Sequence, residues 1–338
     1  MSLISNVVRL FALFLALALS SGLAQAARHG APAHGQEEGG GGRVLRDIAY
    51  GEQPRQRFDV YLPAQPRGPV LFMVHGGAWR SGSKSEPAVL ENKVPHFTAL
   101  GYVVVVADYR LLPQAEPLEQ VRDVARALAA AQGMAASWGA DRRQFVLMGH
   151  SAGAHLAALL AARPALVSEA GCAPWLGTIA LDSAAYDLVA LMEQRHLRLY
   201  DQAFGKHPAT WRSLSPYHAL DGAHEVRPLL LVCSLLREQA CAQAQAFAGR
   251  ARTLGIIADV LEQKLSHRDL NLLLGKPGAY TAGVDAFIAR LPGLQLRAED
   301  DGTPGSRWRG GALTFSLRPC SSRLSSQMRS IRPSRSSV

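Results

Sequence analysis

The sequence predicts an α/β fold in which a mostly parallel sheet carries helices on both faces. The main observation is that short apolar runs alternate with longer stretches of helical periodicity. Val70–Val74 and Tyr102–Ala107 are continuous apolar runs, which are typical of strands buried on both faces. Ala115–Gln132 instead has apolar residues at helical spacing. Strands separated by helices of this length favour a parallel sheet.

The same alternation continues along the rest of the central region. The other predicted strands are Phe58–Leu62, Phe145–Met148, Thr178–Leu181, Leu229–Val232 and Ala258–Leu261, and the other predicted helices are Ala152–Ala162, Cys241–Leu254 and Tyr280–Leu291. Residues 186–222 lie between two strands and are too many for a simple crossover. We predict that they form a small, lid-like insertion over the carboxyl edge of the sheet, where open α/β folds bind ligands.

Both ends of the chain are predicted to lie outside the folded core. A weakly positive start, the apolar run Leu10–Leu19 and small residues up to Ala26 are typical of a secretory signal peptide over residues 1–26. The apolar run is too short to span a bilayer, which needs roughly 20 residues. We therefore predict an exported protein, periplasmic or secreted, with no stable membrane anchor after cleavage. Residues 27–43 are predicted to be a flexible linker, 44–298 the folded domain and 299–338 a disordered basic tail.

The charge and cysteine patterns exclude several functional classes. The formal net charge is +9, and residues 302–338 contain seven arginines and no acid, so the rest of the chain carries only +2. This distribution does not favour a nucleic-acid partner. The four cysteines, at 172, 233, 241 and 320, lack metal-site spacing, so we predict no metal and no cofactor. Cys233 and Cys241 are close enough for a disulfide, which export permits.

The strongest functional signal is the segment GHSAG at 149–153. It follows a predicted strand and opens an Ala/Leu-rich predicted helix, which is the context that a G-x-S-x-G nucleophile motif requires. The hydroxyl of Ser151 would then lie at a helix amino terminus, whose partial positive charge favours developing negative charge. We predict that Ser151 is a nucleophile rather than a simple helix cap.

A second signal is the segment HGGAW at 75–79, directly after the predicted strand Val70–Val74. Acyl transfer requires fixed backbone N–H donors that stabilise an oxyanion. Glycines allow such a loop to turn its amides inward. We predict that Gly77 and Ala78, joined by the N–H of Ala152, form an oxyanion hole, and that Trp79 forms a wall of the substrate site.

With the segment DYRL at 108–111 between them, these two motifs resemble the esterase/lipase branch of the α/β-hydrolases. Within that branch the chain is similar to carboxylesterases, feruloyl esterases and arylformamidases, over roughly Val44 to Leu291. The resemblance implies a serine esterase that acts on a small-molecule ester through an acyl-enzyme, without cofactor. It also implies the chain order nucleophile, acid, histidine.

That order identifies His267 as the general base. His267 follows the predicted strand Ala258–Leu261 and precedes the last predicted helix, where the resemblance places the catalytic histidine. His75 and His150 belong to the two motifs and are interpreted as loop-shaping residues. His155 lies one turn into the helix after Ser151 and is interpreted as a packed helix residue.

The acid departs from the family pattern. The resemblance places it after Leu229–Val232, in a segment usually written G-x-x-D, but residues 233–241 contain no aspartate. Glu238 is the only carboxylate there and is therefore predicted to be the triad acid. Asp182 and Asp187, after the preceding strand, are the alternatives, and Asp269 is weaker.

Two other functions stay open at this point. An amidase such as an arylformamidase would use the same apparatus on an amide bond. A non-catalytic binding protein on the same fold would explain the missing aspartate, although the presence of both Ser151 and His267 speaks against it. Trp211 and Tyr217, in the predicted insertion, are candidates for contacts with the alcohol side of a substrate.

Overall fold

The computed structural model describes residues 36–39, 42–220 and 226–297. The predicted signal peptide at 1–26 and the predicted tail at 299–338 lie outside these residues. Within the described residues, no helix is long and apolar enough to cross a membrane.

Nine strands of the described residues form one sheet, in the order β1-β2-β3-β5-β4-β6-β7-β8-β9. They are β1 (Gln36–Gly39), β2 (Gly42–Ala49), β3 (Arg57–Leu62), β4 (Val70–Val74), β5 (Val103–Ala107), β6 (Phe145–His150), β7 (Gly177–Leu181), β8 (Leu229–Ser234) and β9 (Ala258–Gln263). The first three strands and the β3–β5 pair are antiparallel, and every pairing from β5 through β4 to β9 is parallel. The predicted fold class is confirmed.

The central strands are apolar throughout because both faces of the sheet are covered. All five residues of β4 are buried. Val70, Phe72 and Val74 contribute to the core on one face, whereas Leu71 and Met73 contribute to the core on the other. Alternate side chains of a strand point to opposite faces, so a strand buried on both sides must be apolar at every position.

Helices cover both faces. They are α1 (Pro87–Leu90), α2 (Lys93–Ala99), α3 (Pro117–Met134), α4 (Ala152–Ala162), α5 (Pro164–Ala170), α6 (Leu188–Met192), α7 (Arg198–Phe204), α8 (Pro208–Leu214), α9 (Pro216–Ala219), α10 (Glu238–Thr253), α11 (His267–Leu272) and α12 (Ala279–Ala289). Buried residues of α3, α4 and α10 belong to one core, and buried residues of α2, α11 and α12 belong to the other.

The predicted insertion at 186–222 contains the four short helices α6 to α9. Helix α9 packs against α4, the helix that begins after Ser151. The insertion therefore contacts the structure that carries the predicted nucleophile.

Two regions differ from the sequence-based expectation. The part of the predicted linker that the structure describes contains β1 and the start of β2, which pair with each other. Backbone pairing of this kind does not depend on apolar side chains, so the Gly-rich composition conceals it. Helices α1 and α2 are short and each contains a proline, Pro87 and Pro95, so neither shows a sustained apolar period.

Candidate active site

Ser151 lies in a sharp turn between β6 and α4. Its backbone has φ 57° and ψ −117°, a conformation that is strained for a residue with a side chain. A Cβ atom at Gly149 would collide with the carbonyl of Gly153, and one at Gly153 would collide with the carbonyl of Val74. The two flanking positions of the motif therefore exclude any side chain. This close approach of strand and helix holds Ser151 in its turn.

The imidazole of His267 joins Ser151 to a carboxylate. His267 Nε2 lies 3.0 Å from Ser151 Oγ, and His267 Nδ1 lies 2.6 Å from Asp182 Oδ2. The productive arrangement has the Ser151 hydroxyl donating to Nε2 while Nδ1–H donates to Asp182. His267 begins α11, and Ser266 caps that helix by accepting a hydrogen bond from the amide of Asp269.

The structure contradicts the prediction that Glu238 is the acid partner of His267. Glu238 is the exposed first residue of α10. None of the described residues forms a hydrogen bond or ion pair with its side chain. A carboxylate in the first turn of a helix interacts favourably with the helix dipole, which explains an acid at this position without catalysis. Of the two alternatives, Asp182 contacts His267, whereas Asp187 caps α6 by accepting a hydrogen bond from Ala190.

The buried side chain of Asp182 is held on several sides. Its amide donates to the Val232 carbonyl, and its Oδ1 accepts a hydrogen bond from the Ser234 amide at 2.9 Å. Arg237 Nη1 lies 2.5 Å from Oδ2. Burial alone would raise the pKa of Asp182, but the contacts with His267, Arg237 and Ser234 together hold it below its ordinary value. Asp182 is therefore a carboxylate at neutral pH.

Cys233 and Cys241 form the disulfide that their spacing allows. Their Cα atoms are 5.1 Å apart, inside the usual range of about 4.4 to 6.8 Å. Among the described residues, the one cluster with possible metal-ligand geometry contains these two cysteines and Glu262. Because the disulfide uses both sulfur atoms, this cluster does not form a thiolate metal site.

The loop HGGAW turns through three consecutive residues with positive φ, which are Gly77 (118°), Ala78 (51°) and Trp79 (60°). The loop also approaches the nucleophile closely, since a Cβ atom at Gly76 would lie 3.0 Å from Ser151 Cβ. Among the described residues, none accepts a hydrogen bond from the amides of Gly77, Ala78 or Ala152 (the three predicted oxyanion donors). These N–H groups are therefore available to a ligand.

Residues of the DYRL segment contact the HGGAW loop and support it. Tyr109 donates its hydroxyl to the carbonyl of His75 at 3.0 Å, and the two rings stack. His75 Nε2 lies 3.3 Å from Asp108 Oδ1. Gln120, on α3, donates to the carbonyl of Trp79 at 2.7 Å. The conformation of the loop is thus fixed by side chains from the segment after β5 and from α3.

Trp79 is an anchor as well as a wall of the site. It is only 3% exposed, and its ring packs on Tyr200 and Phe204 of α7 with centroids 5.9 and 4.7 Å apart. Its indole N–H donates to His155 Nδ1 at 3.3 Å, and His155 Nε2 donates to the carbonyl of Leu214 at 2.8 Å. Burial lowers the pKa of His155 to about 4, so the ring is neutral in this chain of contacts. The oxyanion loop, α4 and the insertion are thereby joined.

His150 and Lys93 hold the segment that carries His267. The ring of His150 lies 4.5 Å from that of His267, and its Nε2 donates to the His267 carbonyl at 2.9 Å. Burial lowers the pKa of His150 to about 3. Lys93 Nζ donates to the carbonyl of Ala88 and to Asn271 Oδ1, at 2.7 and 2.9 Å. Helix α11 is therefore fixed from two sides.

Ser151 opens into a cavity of about 670 Å³. Its lining includes the HGGA loop, Trp79, Asp182 and His267, with Val89, Leu197, Leu199 and Tyr200 as apolar residues and Glu86, Arg237 and Arg268 as charged residues. A cavity of this size suits a small organic substrate. Trp211 and Tyr217 do not line it; the Trp211 indole donates to the Gly205 carbonyl and the Tyr217 ring lies beneath Arg250.

Comparisons with known proteins agree with this architecture. The BD-FAE family model matches residues 58–170, which carry both motifs. Isoprenylcysteine alpha-carbonyl methylesterase of Arabidopsis thaliana is 37% identical over 118 residues, covering 34% of this chain and 27% of that protein. Kynurenine formamidase of Danio rerio is 35% identical over 120 residues, covering 35% of this chain and 39% of that protein. This chain thus spans well under half the length of these curated relatives.

Solved structures match over more of the chain. Esterase B of Lactobacillus rhamnosis superposes with a TM-score of 0.60 at 19% identity, covering 82% of this chain and 93% of that one. Esterase 2 of Thermogutta terrifontis superposes with a TM-score of 0.58 at 22% identity, covering 75% of this chain and 96% of that one. These superpositions show that this chain has the same α/β fold as the two proteins.

Proposed function

We propose that this protein is a serine esterase that hydrolyses small carboxylic esters through an acyl-enzyme. The observation that carries the proposal is the continuous chain from Ser151 Oγ through the His267 ring to Asp182, with distances of 3.0 and 2.6 Å. A nucleophile within reach of a base, and a base oriented by a carboxylate, is the arrangement that activates a serine.

In the proposed first step, His267 Nε2 accepts the Ser151 proton as Oγ attacks the ester carbonyl. The negative charge that develops on the carbonyl oxygen is stabilised by the amides of Gly77, Ala78 and Ala152. Donors of this kind typically contribute about 3 kcal/mol each, because they are fixed before the reaction begins. Asp182 stabilises the imidazolium that forms.

The second half of the cycle uses the same groups in reverse. His267 returns its proton to the leaving alcohol, which departs and leaves Ser151 acylated. A water molecule then enters, gives its proton to His267 and attacks the acyl carbonyl. Release of the carboxylic acid regenerates the Ser151 hydroxyl, so the proposed cycle consumes one ester and one water.

An amidase is the second candidate, and the similarity to a kynurenine formamidase over 35% of the chain favours it. An amide leaving group must be protonated by His267 before it departs, but the residues required are the same. The binding-protein alternative was motivated by the missing aspartate after β8. Because Asp182, after β7, contacts His267, the missing aspartate after β8 no longer favours a binding protein.

We also propose that the protein is exported. Two features support this: the signal-like composition of residues 1–26 and the Cys233–Cys241 disulfide. Disulfides persist mainly in oxidising compartments such as the periplasm or the extracellular space.

A matched panel of p-nitrophenyl esters and p-nitroanilides with acyl groups of increasing length tests the proposed activity. We expect turnover of short-acyl esters, and weaker or no turnover of the anilides. The control is the same panel with Ser151→Ala, which should leave only background hydrolysis. Preferential cleavage of formyl anilides would support the amidase instead. No turnover of any member, together with no labelling by a fluorophosphonate, would contradict both.

A further inference from the structure

An arginine lies beside the triad, on the loop where similar enzymes place the acid. Residues 233–241 follow β8 and contain no aspartate, but they contain Arg237. Its side chain is 31% exposed and lines the same cavity as Ser151. The proposed mechanism does not use Arg237.

Arg237 contacts both Asp182 and His267. Its Nη1 lies 2.5 Å from Asp182 Oδ2, 3.2 Å from the Asp182 carbonyl oxygen and 2.8 Å from His267 Nδ1. Asp182 Oδ2 therefore accepts hydrogen bonds from Nη1 and from Nδ1–H of His267 at the same time. The three atoms form a compact triangle.

These contacts fix Asp182. Arg237 holds both the carboxylate and the backbone carbonyl of Asp182, a residue with φ 53°. Non-glycine residues adopt that conformation only when their surroundings fix it. Arg237 thus orients the carboxylate that contacts His267.

We propose that Arg237 is a positioning residue of this triad, which holds the Asp182 carboxylate in contact with His267 Nδ1. The inference rests on the proposed serine hydrolase function. It assigns a role to a cation where the family pattern has an anion. In this chain the acid, Asp182, follows β7, and the loop after β8 supports it through Arg237.

The other groups near His267 do not hold Asp182. His150, at the end of β6, donates to the His267 carbonyl. Lys93, on α2, contacts Asn271 on α11. Arg268, next to His267 in sequence, is exposed and forms no ion pair among the described residues.

The disulfide fixes the loop that carries Arg237. Cys233 belongs to β8 and Cys241 to the first turn of α10, so the bond closes both ends of the segment that contains Arg237. The backbone also contributes, since the Arg237 amide donates to the Ser234 carbonyl at 3.0 Å. We infer that the disulfide maintains the distance between Arg237 and Asp182.

The test compares kcat and KM of wild type, Arg237→Met and Arg237→Lys on the best ester of the panel. For Arg237→Met we expect kcat to fall by about tenfold to a hundredfold, as for a misplaced catalytic group, with KM changed much less. Arg237→Lys should recover part of that kcat, since an ammonium keeps the charge without the same geometry.

The matched control is Arg290→Met, which removes an arginine from an exposed ion pair with Asp259 in β9. Its kcat and KM should match those of wild type. An Arg237→Met variant with the kcat of wild type would overturn the proposal. An equal loss of kcat in both Arg237 substitutions, with a matching loss of thermal stability, would reduce Arg237 to a structural residue and also overturn it.

A readout without substrate separates this inference from the proposed function. The Nδ1 proton of His267 should give a low-field NMR signal, assigned by its loss in His267→Gln. The chemical shift of this proton reports its hydrogen bond to Asp182 and should change in Arg237→Met whether or not any ester is cleaved. The double variant Cys233→Ser/Cys241→Ser should change it in the same direction. An unchanged signal in the double variant would overturn the role assigned to the disulfide.

Discussion

Asp182→Asn is expected to lower kcat by about 10⁴-fold, the loss that follows when a triad base is left in the wrong tautomer. An asparagine amide can donate to His267 Nδ1, and this selects the tautomer with a proton on Nε2. That proton faces Ser151 Oγ, 3.0 Å away, so the imidazole can no longer accept the serine proton. Steady-state turnover of an aryl ester measures the effect, and a thermal melt checks that the variant is folded.

Glu238→Gln is the matched control, because it makes the same chemical change on the exposed carboxylate at the start of α10. Its turnover should stay within about twofold of wild type, as expected for an exposed side chain that has no partner among the residues the structure describes. The opposite pattern, with activity retained in Asp182→Asn and lost in Glu238→Gln, would return the acid to the loop after β8.

Trp79→Ala should lower the free energy of unfolding by about 3 to 5 kcal/mol, the usual cost of removing a large buried aromatic side chain. The indole fills the space between the oxyanion loop and the two rings of α7, and its loss also leaves His155 Nδ1 without a donor. Turnover should fall as well, because the loop that carries Gly77 and Ala78 loses its anchor. Denaturant unfolding measures the first effect.

Trp211→Ala is a suitable comparison, since Trp211 lies in the insertion, is only half-buried and does not line the cavity. We expect a clearly smaller loss of stability and nearly unchanged turnover. Equal losses for both tryptophans would show that Trp79 has no special role as an anchor.

The sequence predicted the central sheet well because burial on both faces leaves a simple signal. Residues 70–74 and 152–162 were predicted with the bounds that the structure has. Elements without that signal were missed. Helix α1 has four residues beginning at Pro87, and β1 is a strand in a glycine-rich segment. In each case short length or composition removes the periodicity on which the prediction depends.

The nucleophile and the base were identified from local context, but the acid depends on a contact across the sheet. Asp182 and His267 are 85 positions apart, and no pattern in the sequence states which strand supplies the acid. One physical signal was available. Asp182 directly follows β7, the strand next to β6 and Ser151, and carboxyl ends of adjacent parallel strands share one edge of the sheet. The resemblance instead places the acid on the loop after β8, and this position led to Glu238.

The most direct test of the proposed serine esterase mechanism is to trap the acyl-enzyme. Wild-type protein is mixed with a p-nitrophenyl ester, quenched in acid within one turnover and digested, and the acylated residue is identified by mass spectrometry. We expect an acyl group on Ser151, formed with a burst of p-nitrophenol in wild type and absent in Ser151→Ala. Ester turnover without any acyl group on Ser151, or with the acyl group on another residue, would contradict it.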